Sequence, residues 1–441
     1  MHTLQQNPEQ PFALYQGRVV TRGDLWADVY ALANQLPNRP YVFNLCENRY
    51  LFCVCLLAAA TRQQICLLPP SGQISAIQEI MQDYPQAYLA SETAPQNADL
   101  KWFEVKAPNS KAIVAPNAFD WSRSALIAFT SGSTGKPKPC VHSLQTFKVS
   151  ADMALSSLAL AEKQYVMIST TPPQHMYGLE TSIFWPLFSQ LILHDGRPFF
   201  TEDIRQAIDA APWPAMLIST PTHLRLLAQS DPVWRNLEGV ISATDTLSEK
   251  LAQQIQVILG QSPREIYGST ETLSFASREV LRESLWQPYA GSRLVQHENQ
   301  QTGLVSPHLP QPCILPDNIR IEADGRFAVL GRHQDMLKIS GKRASLNQLN
   351  HRLKDIDGVT DGFCFVEQAG RGDDRLTAVV VSQLSKQAIR QALQPYLDEV
   401  FLPRKIHFVS AIPRNPAGKL TQTQMDKLLA ELKLTKSTGI L

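Results

Sequence analysis

Between Thr130 and Lys138 the chain reads TSGSTGKPK. Thr130, Ser131, Ser133 and Thr134 supply hydroxyl donors, and Gly132 and Gly135 sit among them. Glycine permits the tight backbone curvature that points successive N–H groups at an anion. Lys136 and Lys138 add positive charge. That combination suits phosphate. It is not a nucleotide P-loop, which needs four residues between its glycines and then Lys-Ser/Thr. Here only Ser133 and Thr134 separate the glycines, and Pro137 follows Lys136. A solvated Ser/Gly turn has the same composition, but this one follows the apolar run Ala125–Phe129. Behind it, Leu144, Phe147, Ala151, Leu155 and Leu158 recur with helical spacing, and Ser143 suits the N-cap. If that helix points at the loop, its positive end joins the donors.

Other segments carry groups of the right kind. Thr270 and Glu271 close the run EIYGSTE, and a lone carboxylate is a reasonable ligand for a hard cation that bridges phosphates. Asp317 stands in LPD, Arg332 follows Gly331, and Asp335 lies in QDMLKISGKR. Lys419 ends IPRNPAGK near the C-terminus. His175, Tyr177 and Gly178 lie in PPQHMYGLE, and Ala243 and Thr244 in SATDTLS.

Taken in order, these stretches resemble the signatures of the adenylate-forming enzymes: acyl- and aryl-CoA synthetases, nonribosomal-peptide adenylation domains and luciferases. The loop resembles T-S-G-[ST]-T-G-x-P-K-G, with Pro139 in place of the last glycine. Tyr267-Gly268-Ser269-Thr270-Glu271 resembles Y-G-x-T-E. The resemblance implies that Thr270 touches the α-phosphate and Glu271 holds Mg²⁺. It places Asp317 on the ribose hydroxyls with Arg332 nearby, makes Asp335 a hinge, and sets Lys419 between carboxylate and α-phosphate. His175 then stands beside the acid pocket, and Tyr177 faces a planar, partly polar ligand. Ala243 and Thr244 replace glycines that line substrate and adenine, which narrows that wall. The family's acidic pair behind the hinge is replaced by Asn347-Gln348-Leu349-Asn350. The resemblance runs from about residue 120 to 425, with a short N-terminal part and a short Glu271–Asp317 segment. LLPPSG, PPQHMYGLE and ISATDTLS resemble the compact ligases of bacterial aryl-polyene pigment clusters.

The implied activity is ATP- and Mg²⁺-dependent adenylation of a carboxylic acid, then transfer to a phosphopantetheine thiol of coenzyme A or an acyl carrier protein. A small aromatic or polyunsaturated acid is expected over a long saturated one. The competing reading is a non-catalytic nucleotide-binding relative.

The elements that must position these groups follow an α/β pattern. Strand-like runs at Tyr41–Leu45, Ile65–Leu68, Tyr165–Ser169, Ala215–Ser219 and Gly239–Ser242 alternate with helical ones such as Leu51–Ala60. The expected architecture is a large domain of parallel-rich sheets and helices, residues 1–333, with a small mobile α+β domain, 334–441. The 441 residues are 44% hydrophobic and 18% charged, ordinary for a globular chain. Lys+Arg 41 against Asp+Glu 40 gives a net charge of +1, which offers no electrostatic basis for nucleic acid or an anionic membrane. The longest apolar run is too short to span a bilayer. Seven scattered cysteines without a C-x-x-C pair fit a reduced, cytoplasmic setting.

Overall fold

The computed structural model describes residues 7–95, 100–106, 120–122, 124–131, 137–231, 234–298, 301–332, 336–339, 342–367, 375–415, 418 and 420–434. Two large sheets dominate. The larger has nine strands, in the spatial order 287–288, 273–279, 264–269, 237–242, 215–219, 166–169, 192–194, 11–15 and 18–21. From 264–269 through 11–15 every neighbouring pair is parallel. The second sheet has six strands, in the order 102–104, 88–91, 41–44, 65–68, 124–131 and 137–143, antiparallel only at its last pair.

A layer of helices is buried between the sheets. The run expected to be a buried helix forms Arg49–Thr61, and everything from Arg49 to Ala59 is buried. Such a helix must be apolar all round, and this one is, apart from Arg49. The Arg49 guanidinium donates to the carbonyls of Ser169, Thr171 and Gly196 and to Ser182 Oγ. Helix Leu144–Ser157 lies in the same layer, and Ser143 accepts from the Thr146 N–H as its N-cap. Leu144, Phe147, Ala151, Leu155 and Leu158 are all buried, as their periodicity requires.

The C-terminal elements form separate cores. Strands Val359–Glu367, Arg375–Ser382 and Lys405–Phe408 make a three-stranded sheet. Helices Leu346–Lys354 and Lys386–Leu393 cover one face through Leu349, Leu353, Ile389 and Leu393, and Leu428 and Leu429 of helix Gln422–Glu431 cover the other. Before them lies a hairpin, Met336–Ile339 with Lys342–Ser345. No described helix is long and apolar enough to cross a membrane.

Candidate active site

Because strands 166–169, 215–219, 237–242 and 264–269 are parallel, their carboxyl ends share one edge. Ligands of open α/β sheets bind outside that edge. His175 lies there, half-buried, as the N-cap of the short helix Met176–Leu179. One expectation for its neighbours needs correction. The Tyr177 hydroxyl donates to the carbonyls of Ser219 (3.1 Å) and Ile241 (2.7 Å), so it ties strands together and is not presented to a ligand. Gly178 is buried beside it. A Cβ there would stand 2.2 Å from the Pro172 carbonyl oxygen, so the glycine is demanded by the backbone.

The turn after strand Arg264–Ser269 presents Thr270 and Glu271. Gly268 is forced by the Leu273 carbonyl, 1.9 Å from where its Cβ would be. Thr272 Oγ1 accepts from the Ser269 N–H, and Ser269 Oγ accepts from the Thr272 N–H, which closes the turn. Glu271 is exposed at its tip and Thr270 half-buried. Tyr267 donates from its hydroxyl to Asp317 Oδ2 at 2.6 Å, across fifty residues of sequence. Asp317 pairs in register with Arg332, so strand geometry sets those two side by side; the Arg332 side chain lies outside the described residues.

The phosphate loop differs from expectation in one respect. Residues 132–136 join two antiparallel strands, Ser124–Ser131 and Pro137–Ser143, with Thr130 opposite Lys138. The helix behind Ser143 therefore begins seven strand residues later, roughly 20 Å along the chain, and its positive end does not serve the loop. Local spacing suggested a strand–loop–helix unit because the proline-rich second strand reads as loop. Pro137 and Pro139 are tolerated there because Pro137–Ser143 is an edge strand. Gly132, Ser133, Thr134 and Gly135 and the side chain of Ser131 lie outside the described residues. Lys138 is exposed and Thr130 half-buried. Burial, and next the Glu271 carboxylate, push the Cys140 thiol up to about 11, while Lys138 opposes them. Burial and Glu271 also raise the Cys313 thiol against Lys138. Lys138 and Glu271 thus act on the same two thiols, and Cys140 and His142 touch the Thr270 carbonyl, which places the strand Pro137–Ser143 beside the turn.

Ala243 is buried and Thr244 half-buried at the end of strand Leu237–Ser242. Thr244 takes φ +80°, a left-handed conformation rare for a β-branched residue. Next to it, Asp245 reaches the C-terminal helix Leu346–Lys354, with Oδ2 2.8 Å from Lys354 Nζ and Oδ1 3.1 Å from His351 Nε2. Burial alone would raise the Asp245 carboxyl. The His351 hydrogen bond and the Lys354 charge outweigh it and hold the carboxyl well below the usual range. The C-terminal corner arrives at the same edge: Gly418, at φ +76°, lies against Thr220 and Thr222. Arg414 holds that corner by donating to the Gly418 carbonyl and, from Nε and Nη2, to the Asp361 carboxylate. Lys419 and Asp335 lie outside the described residues.

Three residues with no earlier assignment stand behind this edge. His142 and His308 hold the carbonyls of Thr270 and Thr272. Glu180 is buried within one turn of π-helix, Glu180–Phe184, and accepts from Ser150 Oγ and from the N–H and Oγ of Ser274. Burial raises its carboxyl to about 7 against those hydrogen bonds. Glu180 was visible as an acid in an apolar run, but nothing in the sequence pairs it with Ser150 and Ser274. Among the described residues no cluster of three His, Cys, Asp or Glu could cage a metal. A lone exposed carboxylate beside a phosphate site nevertheless fits Mg²⁺, which keeps waters and takes few protein ligands.

A model of the AMP-binding enzyme family matches residues 37–299, more than half of the chain. That match reaches nearer the N-terminus than the motifs did and stops before Asp317. A 4-coumarate–CoA ligase of Halorhodospira halophila is 27% identical over 67% of this chain and 75% of its own length. A dimodular nonribosomal peptide synthase of Bacillus subtilis is 26% identical over 67% of this chain, which spans only 14% of that longer protein. The o-succinylbenzoate coenzyme A synthetase of Bacillus subtilis, solved in complex with ATP and magnesium ion, superposes with a TM-score of 0.81 at 16% identity, over 96% of this chain and 98% of that one. With the sheet edge, the Tyr267–Asp317 contact and the family model in agreement, the chain belongs to the AMP-binding enzyme family.

Proposed function

We propose that the chain is an ATP- and Mg²⁺-dependent acid ligase that forms an acyl- or aryl-adenylate and passes the acyl group to a phosphopantetheine thiol of coenzyme A or a carrier protein. The observation that carries this reading is the meeting of Tyr267 with Asp317 on the strand whose end presents Thr270 and Glu271. An aromatic ring and a two-oxygen acceptor there suit adenine and ribose, and a hydroxyl and a carboxylate beyond them suit the phosphates.

In the first half-reaction a carboxylate oxygen attacks the α-phosphorus, a P–O bond forms, and the bond to pyrophosphate breaks. The nucleophile is already ionised at neutral pH, so no general base is needed. The barrier is an anion meeting an anion, and catalysis is charge neutralisation and positioning. Thr270 and the Thr130–Lys138 loop donate to phosphate oxygens. Lys419, beside Gly418, bridges the carboxylate and the α-phosphate. Mg²⁺, when bound by Glu271, neutralises phosphate charge. In the second half-reaction a thiol displaces AMP, with residues 334–441 reoriented about Asp335 relative to 1–333. The working compartment is the cytoplasm, where ATP and phosphopantetheine thiols meet.

A small aromatic or polyunsaturated acid remains the preferred substrate. The support is Ala243 and Thr244 on the wall and the likeness to a 4-coumarate ligase; Tyr177 no longer contributes. The test is pyrophosphate release with equal 4-hydroxybenzoate, cinnamate, octanoate and palmitate in competition, reading each adenylate. Turnover of the first two is expected. Preference for palmitate overturns the acid class, and no release across a wider acid panel overturns the ligase.

A further inference from the structure

The turn that carries Thr270 and Glu271 is gripped from both sides by buried histidines. His142, 5% exposed on the edge strand Pro137–Ser143, has Nε2 2.8 Å from the Thr270 carbonyl oxygen. A carbonyl only accepts, so Nε2 carries the proton and donates. The Cys140 thiol donates to the same oxygen at 3.6 Å. His308, 3% exposed and from a different part of the chain, has Nε2 2.6 Å from the Thr272 carbonyl oxygen. Its other nitrogen, Nδ1, is 2.8 Å from Ser306 Oγ, which is 2.8 Å from Ser292 Oγ. That hydroxyl chain delivers a hydrogen bond to Nδ1 and leaves the ring proton on Nε2, where the carbonyl needs it.

The consequence is local. The Thr270 carbonyl belongs to the peptide plane entering Glu271, and His142 fixes it. The Thr272 N–H belongs to the plane leaving Glu271, and Ser269 Oγ fixes it. His308 fixes the next plane, just before Leu273, which holds φ +52° without being glycine. A left-handed leucine persists only where its surroundings over-determine it. The exposed Glu271 side chain therefore projects from a backbone whose flanking peptide planes are each held by a hydrogen bond. His142 also belongs to the second strand of the phosphate-loop hairpin, so one ring ties the loop to the turn.

We propose that His142 and His308 are positioning residues that hold Glu271 and Thr270 at the geometry needed for the metal–triphosphate complex. They act through backbone carbonyls and touch neither nucleotide nor metal. The proposal rests on the reading of Glu271 as the magnesium ligand. A carboxylate that binds a hard octahedral ion gains from pre-orientation, because Mg²⁺ tolerates little distortion.

The experiment compares His142→Gln, His142→Asn and His308→Gln with the unmodified chain. A glutamine amide nitrogen reaches about as far as imidazole Nε2, whereas an asparagine falls short. ATP affinity is measured by calorimetry without acid, once with magnesium and once with EDTA. Both half-reactions are then followed, the second from supplied adenylate. His142→Asn should lose at least about tenfold in magnesium-dependent ATP affinity and in adenylation, with metal-free ATP affinity and thiol transfer within about twofold. His142→Gln should retain most of the unmodified chain's affinity and adenylation, and so should His308→Gln. If ATP affinity falls equally with and without magnesium, or if Asn and Gln behave alike, the proposal is overturned. If the unmodified chain shows no magnesium-dependent gain in ATP affinity, the fault lies in the assignment of Glu271. Should His142→Asn fail to fold, His308→Asn against His308→Gln makes the same comparison.

Discussion

The turn at Ser269–Leu273 and the corner at Gly418 meet the same sheet edge but are held there by different means. The turn is fixed by hydrogen bonds from the buried His142, His308 and Thr272 and the half-buried Ser269. The corner belongs to elements that also meet the large domain through ion pairs, one of them largely buried and one exposed. Lys354 and His351 meet Asp245, and Lys250 meets Asp357 and the Asp355 carbonyl, beside a polar cleft lined by Arg225, Lys250, Lys354 and Asp355. Buried networks rigidify what they hold, while an ion pair as exposed as Lys250–Asp357 gives little energy and breaks readily. On the function proposed above, the half that binds phosphate stays in place and the half that brings Lys419 leaves.

The largest expected effect comes from the departing half. Lys419→Ala should lower acid-dependent pyrophosphate release by at least about 10²-fold, the scale of one transition-state donor. Transfer from a supplied adenylate should persist, since the corner has then moved away. Equal loss in both half-reactions would show that Lys419 stays in place throughout, and the comparison would break.

Next comes the fixed half. Glu180 keeps its proton to about pH 7 when folded and releases it near 4.5 when unfolded. Between those values the folded state binds more protons, so stability falls as pH rises through that window, by roughly 3 kcal/mol if the full shift is expressed. Glu180→Gln removes the titration. Its melting temperature relative to the unmodified chain should climb from pH 5 to about pH 7 and level off towards pH 8. A constant difference over that range would mean that Glu180 does not titrate inside the folded protein.

A smaller effect is expected at the ion contacts. Lys354→Met keeps the stem and removes the charge from a side chain that is 8% exposed. His351 then remains against the Asp245 carboxylate, a largely buried charge that has lost its closest cation, and the orientation that presents Gly418 is weakened. Adenylation should fall about fivefold, while thiol transfer is unchanged or faster. A parallel fall in both would assign the pair to folding rather than to orientation.

The legibility of the sequence follows the same division. Motifs that consist of consecutive residues were readable: Thr270 and Glu271, the helix behind Ser143, and Asp317 by its spacing to Gly331 and Arg332. Contacts between distant segments were not. Nothing local pairs His142 with Thr270, His308 with Thr272, or Asp245 with Lys354, because each depends on how two sheets and a C-terminal helix are stacked. The loop hairpin was missed for a different reason, since prolines disguise a strand wherever an edge leaves their missing N–H unneeded. Tyr177 was misread because a hydroxyl in a motif looks like a ligand donor until the carbonyls of Ser219 and Ile241 are seen to occupy it.

Thr244 stands where the fixed and departing halves meet, and it carries the smallest and most discriminating prediction. Its φ of +80° is a conformation that glycine enters freely and a β-branched residue enters at a cost of about 1–2 kcal/mol. Thr244→Gly relieves that strain but adds freedom to the unfolded chain, which returns roughly 0.5–1 kcal/mol. The net stabilisation should be small, a rise of about 1–3 °C in melting temperature. Thr244→Ala keeps a Cβ in the left-handed region and should gain less. Function should move the other way. Thr244 immediately precedes Asp245, and a stiff backbone there aims the carboxylate at Lys354 and His351. With glycine the aim loosens, so adenylation should fall about twofold while thiol transfer holds. If Thr244→Gly instead lowers the melting temperature below that of Thr244→Ala, the conformation is not strained, and the joint between the two halves owes nothing to it.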